Sequence, residues 1–399
     1  MESEMNQRTL SPFETLPQEL LSSIIEDLRP HDLTSFLRVC KRFYHAGRPR
    51  LWHTLRSPDL PRSFRFAATT PGLCNLAAIS DDIGVDAMGF AYVKKLVFKV
   101  GEMACTQGGP DRGLDRLSNI LCDQLVAGKM ELQHVELCWG DFSYASEGAI
   151  RLLNTLKEYQ KLNLPRKPSI MTKMGHAYKR GTPSFPINHF ALECITNLEI
   201  GFYMDDTLLM IEQAVHDIEL LTNTLKGARF LQRLVIVGEG YAGGTECPIS
   251  GLPQLEKLQD AVTDLKHLVE LRISGYLFHP SFFLAPPENT KKVTIKQEIS
   301  IAWWRKFAQC PFTGLEDLSI DTSHVGIESV ALWASGDDEE ITEVGNEDFQ
   351  FLLGNLEIRG LKKFSTCADW YYRPDDFADL LRRKNPGLKE FTRVDGVYI

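Results

Sequence analysis

Three glycines raise the question of chemistry first. Gly238, Gly240 and Gly243 in VIVGEGYAGG form G-x-G-x-x-G directly behind an apolar run. A pyrophosphate can sit on such a loop when a helix opens next, because the helix N-terminus presents free N–H groups. Here the chain runs on into Thr245-Glu246-Cys247-Pro248 and Ser250-Gly251, which reads as loop. A nucleotide-binding enzyme using Gly238–Gly243 therefore stands as an alternative, behind a plain loop at a sheet edge. The ten histidines are dispersed, with no H-E-x-x-H or H-x-x-x-H pair, so no metal centre is predicted. The nine cysteines contain no C-x-x-C, and free thiols in a reducing compartment are expected. Neither a G-x-S-x-G elbow nor a P-loop occurs, and no catalytic residue or cofactor is predicted. Two aromatic and cationic clusters remain. SIAWWRKF sets Trp303 and Trp304 beside Arg305 and Lys306, which suggests one buried and one half-exposed indole of a helix. CADWYYRPDD joins Trp370, Tyr371, Tyr372 and Arg373 just after a strand-like run. Residues of these types dominate protein interfaces, so they form the candidate substrate-binding group.

These residues need elements to hold them. With 399 residues, the chain has room for two or three domains or one long repetitive one. Hydrophobic content of 43% allows a large core, and a net charge of −9 argues against nucleic acid as partner. No apolar run reaches the roughly 18 residues of a membrane span, and MESEMNQRTLS lacks the basic and apolar regions of a secretion leader. A cytoplasmic or nuclear location is the expectation, with no membrane partner.

LPQELLSSIIEDL, residues 16–28, packs six leucines and isoleucines into one short helical segment. Leu16 before Pro17 is pushed toward an extended backbone, and Pro17 suits the first helical position. Leu20, Leu21, Ile24, Ile25 and Leu28 recur at helical spacing and form a wide stripe. Pro30 starts a second helix carrying Leu33, Phe36, Leu37 and Val39. A third segment runs from Cys40 to Tyr44, and Leu51, Trp52 and Leu55 mark one more turn. Three helices in so short a span rarely enclose that many apolar side chains. Leu21, Ile25 and Leu28 suit self-burial. The remainder either caps the following domain or docks on another chain.

The order Leu16-Pro17, Glu19-Leu20-Leu21, Ile24, Leu28, Asp32-Leu33, Val39-Cys40-Lys41 and Leu51-Trp52 resembles an F-box. The likeness covers residues 11–56, after an N-terminus (1–10) expected to be disordered. It implies a substrate receptor of a cullin–RING ubiquitin ligase of the SCF type, docked on a Skp-family adaptor and not itself an enzyme. By the same resemblance Leu16, Pro17, Glu19, Leu20, Ile24 and Leu33 would face the adaptor, and Val39, Cys40 and Trp52 would shape or extend that surface. Arg29 departs from the pattern, because many members place Asp or Ser there as a helix cap.

After a linker or capping segment at 57–90, one phrase keeps returning through 91–399: apolar, two mostly polar residues, then apolar–x–apolar. It reads VKKLVF at 93, LQHVEL at 132, ITNLEI at 195, LQRLVI at 231 and LVELRI at 268. TKKVTI at 290, LEDLSI at 315, LKKFST at 361 and LKEFTR at 388 complete the series. Each end alternates with period two, and helix-period stretches lie between them. Strand alternating with helix predicts crossovers and a parallel sheet. The phrase resembles the core of a leucine-rich repeat, without its regular spacing or an Asn/Cys ladder. An irregular leucine-rich-repeat-like α/β solenoid is predicted, with a closed barrel or doubly wound sheet as the alternative, and with a protein substrate bound along it. Residues 157–181, rich in Lys and Arg, and the acidic 335–348 are expected to be loop insertions. A scaffold that binds the adaptor without directing degradation is the remaining possibility.

Overall fold

The computed structural model describes residues 15–56, 89–100, 112–139, 147–162, 168–177, 195–203, 210–239, 253–275, 278, 282–297, 301–310, 312–321, 356–367 and 374–393. The chain divides into two compact units. One holds residues to Cys138 together with 144–168, and the other holds 139–143 and Ser169 onward.

The first unit opens with three helices, α1 (Gln18–Asp27), α2 (Pro30–Leu37) and α3 (Lys41–Trp52). Pro17 is the residue before α1, one position earlier than expected, and its carbonyl accepts the first helical bond from the Leu21 N–H at 3.1 Å. Pro30 starts α2, and Arg29 before it makes no side-chain cap, so this end relies on proline's fixed φ. The third helix is longer than its sequence suggests. It runs without a break through Gly47 and Pro49 to Trp52, taking in the separate turn expected at Leu51–Trp52. Its buried Phe43, Gly47 and Trp52 hold it together. Gly47 is needed there, since any Cβ would overlap the Leu37 side chain of α2.

The chain then enters β1 (Thr54–Arg56), β2 (Lys95–Val100) and β3 (His134–Trp139), parallel neighbours in that order. Two helices follow β2 and β3: α4 (Arg112–Val126) and α5 (Glu147–Lys161). The second unit holds β4 (Ser169–Ala177), β5 (Ile195–Tyr203), β6 (Arg233–Glu239), β7 (Glu270–Gly275) and β8 (Lys292–Lys296). It continues with β9 (Asp317–Asp321), β10 (Lys363–Cys367) and β11 (Glu390–Arg393). Its helices are α6 (Met210–Gly227), α7 (Pro253–Thr263), α8 (Ile301–Ala308) and α9 (Pro374–Lys384). Every strand from β4 to β11 pairs in parallel with its sequence neighbour. Strands laid down in chain order, with helical crossovers among them, make an α/β architecture of solenoid kind. A doubly wound sheet would reverse its strand order, and none of these pairings does.

All nine repeated phrases are strands or strand starts, and most of their apolar positions are buried, with Phe391 half-buried. Leu234, Leu271, Val293, Leu318 and Phe364 share one row, and Ile236, Ile273, Ile295 and Ile320 the next. Two strands lie outside the phrases. β1 is one. The other, β4, occupies Ser169–Ala177, and α5 extends to Lys161, so the segment 157–181 is not a simple loop insertion. Ile170 and Thr172 are buried there and supply the strand with its core face. The acidic run 335–348 and the linker 57–88 lie outside the described residues. No helix among the described residues is long and apolar enough to cross a membrane.

Candidate functional site

The helical module buries part of its apolar surface and leaves the rest open. Leu21, Ile25, Leu33, Leu37 and Phe43 form its core, with Leu28, Phe36, Cys40, Ala46 and Leu51 packed against them. Phe36 and Phe43 stack with ring centroids 4.3 Å apart. Leu21 and Ile25 point inward, so Leu20 and Ile24, one residue earlier on the same turns, are turned to solvent. Leu20 is 53% exposed, Ile24 36% and Val39, just past α2, 67%. Pro17 and Glu19 are also exposed, and Leu16 and Cys40 are half-buried.

Two of the residues expected on this surface are elsewhere. Leu33 is only 3% exposed and belongs to the core, and Trp52 is 7% exposed. The Trp52 ring packs on Phe90 at 5.7 Å, and Gly89 lies so close that a Cβ there would overlap the indole. Both side chains support the module from within. Their spacing alone does not separate an inward residue from an outward one, because a wide apolar stripe contains both.

The sequence also hid what anchors the exposed helix. The Arg42 guanidinium donates to the Leu16 carbonyl, and Arg50 donates to the Leu28 carbonyl at 2.7 Å. Two arginines of α3 therefore grip the residues flanking α1, fixing the direction in which Leu20 and Ile24 point. Arg48 adds a cationic contact with the rings of Tyr44 and Tyr92, at 5.8 and 5.6 Å. Arg42 and Arg50, about two helical turns apart in RFYHAGRPR, are the signal, readable only once α3 is known to be continuous.

Residues 13–57 match the family model described as F-box-like. The chain carries an F-box-like domain. No curated protein matches the chain. The F-box does not end as a free module, because β1 within its matched span pairs with β2, Leu55 opposite Leu96. Leu55 is buried along with Val93 and Leu96, so the end of the matched span is built into the first strands. The first compact unit holds the F-box together with β1, β2, α4 and α5.

The remaining sequence candidates fall out differently. Gly238 lies within β6 and faces Gly275 of β7. Gly275 has φ of +85°, and a Cβ there would overlap the Gly238 carbonyl. Both glycines thus serve a close approach of two strands, a structural reason for part of the G-x-G-x-x-G. Gly240 and Gly243 lie outside the described residues, as do Trp370, Tyr371, Tyr372 and Arg373. Trp303 is buried and stacks on Phe307 at 5.1 Å, as its helical spacing suggests. Burial pushes the Cys310 thiol up to about 11. Cys122 is also raised, by burial first, with the Thr155 hydroxyl bond opposing it. Both thiols stay protonated at neutral pH, the reverse of what a thioester-forming nucleophile needs. Among the described residues no group of three His, Cys, Asp or Glu is placed to hold a metal.

Proposed function

We propose that this protein is the substrate-recognition subunit of an SCF-type cullin–RING ubiquitin ligase. Its F-box binds a Skp-family adaptor through Leu16, Pro17, Glu19, Leu20, Ile24, Val39 and Cys40, and its α/β region holds a protein substrate. F-box domains generally bind Skp-family adaptors and typically lack catalysis. The observation that carries the reading is the split face of α1, with Leu21 and Ile25 sealed and Leu20 and Ile24 bare. Burying bare aliphatic side chains yields roughly 1.5–3 kcal/mol each, which several together need to exceed the cost of association. Ubiquitin transfer then takes place on partner subunits, in the cytosol or nucleus, and this chain supplies proximity.

Co-purification with a Skp-family adaptor tests the reading. Wild type should retain the adaptor and Leu20→Asp with Ile24→Asp should lose it. A wild type that never binds sinks the receptor role, and equal binding by both shows that α1 is the wrong face.

A further inference from the structure

The third residue of each repeated phrase stacks across the second unit into one row. Its members from β6 on are Arg233, Glu270, Lys292, Asp317, Lys363 and Glu390. Their charges alternate, and each cation has an anion beside it: Arg233 to Glu270 at 3.2 Å, Lys292 to Asp317 at 3.5 Å and Lys363 to Glu390 at 2.6 Å. This row is neutral by itself. The fifth residue makes a second row on the same sheet face: Val235, Arg272, Thr294, Ser319, Ser365 and Thr392. From β6 on it contains one charge, and the nearest anion in the row is Glu199 of β5, on the far side of Val235. Arg272 stands between Val235 and Thr294, and its Nε is buried with no hydrogen-bond partner. On its own strand Glu270 is engaged by Arg233, and the Ser274 hydroxyl donates to the Ile236 carbonyl at 3.5 Å. Buried donors are met in nearly all folded proteins, so an unmet Nε on a half-buried arginine beside a neutralised row points to a ligand. The row also opens along its length. Val235 and Thr294 are buried, Ser319 and Ser365 half-buried and Thr392 exposed.

We propose that Arg272 binds one carboxylate side chain of the substrate polypeptide, which lies across β7 to β11 over the Ser319, Ser365 and Thr392 hydroxyls. This rests on the receptor reading above. One guanidinium offers a planar fork that fits one carboxylate. A phosphate, at about −1.5 to −2, is ordinarily held by several cations, and the nearest ones here are already matched. Four strand steps of about 4.8 Å correspond to about six extended residues, so the site reads a short segment.

The test uses the full chain, labelled, on arrays of immobilised six-residue peptides with a central Glu, Gln or phosphoserine and randomised flanks. Wild type should favour Glu over Gln by about tenfold or more, in line with the cost of leaving a desolvated charge unpaired. Arg272→Gln should abolish that preference. Arg272→Lys should keep only part of it, because the charge remains and the fork is lost. Arg233→Gln with Glu270→Gln should leave it unchanged. Equal retention of Glu and Gln peptides, no retention at all, a preference for phosphoserine, or a preference surviving Arg272→Gln would each overturn the proposal. Adaptor co-purification on the same preparations separates the two readings. Adaptor bound with no Glu preference removes the carboxylate site alone, and Glu preference without adaptor removes the receptor role alone.

Discussion

The F-box helices and the sheet of the second unit treat their surfaces in opposite ways. On α1, apolar groups that a self-contained fold would hide are left bare at Leu20 and Ile24. On the sheet, charges that would cost little in water are nonetheless matched pair by pair. Exposed ion pairs contribute only about 0–1 kcal/mol each, so the charge row is chiefly a device of register, penalising any slip that sets like charges opposite. A bare aliphatic face has no such internal use. The contrast separates a surface matched from within from one left open, and it makes Arg272, whose Nε has no partner, conspicuous.

Several variants break or sharpen the contrast. The largest expected effect is Gly275→Val. A side chain there collides with the Gly238 carbonyl in a left-handed backbone, so β6 and β7 must part, at about 3 kcal/mol or more. Thermal melting should fall steeply while adaptor binding by the other unit persists. Leu21→Ala should cost about 2–5 kcal/mol by leaving a cavity beside Ile25 and Phe43. Leu20→Asp, one residue away, should stay within about 0.5 kcal/mol of wild type in denaturant titration. Equal losses from the two would erase the distinction between the faces of α1. Thr290→Val should stabilise by about 1 kcal/mol, since the Thr290 hydroxyl is buried without a partner at a position where sibling phrases carry leucine. Lys292→Met should change stability by less than about 1 kcal/mol, and a larger loss would show that the charge row is a main stabiliser.

The smallest effect is a pH dependence. Burial holds the His134 imidazole below its ordinary value, with Lys95 adding to the shift and Glu136 opposing it. The unfolded chain then takes the proton first, so stability is full above the ordinary histidine range and declines as pH falls through it. His134→Gln should flatten the dependence of melting temperature between about pH 7 and 5, the interval in which a free imidazole charges.

Much of the fold could be read from the residues. Leucine, isoleucine and valine at fixed places in a six-residue phrase marked nine strands, because a buried strand face admits little else. β1 and β4 were hidden for different reasons. Thr54-Leu55-Arg56 is too short to show alternation. In Ser169–Ala177 the core positions include Thr172, a polar residue, amid lysine-rich sequence that reads as solvated. The F-box order was legible, whereas the orientation of each residue was not. Leu33 and Leu20 look alike in sequence, and only the packing of α2 on α3 separates them. Arg272 was missed because its isolation belongs to no single strand. It emerges when the phrases are stacked and read down their fifth column, which requires the register.

The three residues of β1 carry a practical consequence. Because Leu55 pairs beside Leu96 and Trp52 rests on Phe90, the F-box is spliced into its neighbour's sheet, not tethered to it. A chimaera cut just after Arg56 would strip β2 of a partner and bare an indole, leaving an aggregation-prone edge. Swapping this chain's F-box for another should therefore succeed only with a seam placed past Val100, so that the transplanted piece carries its own first two strands.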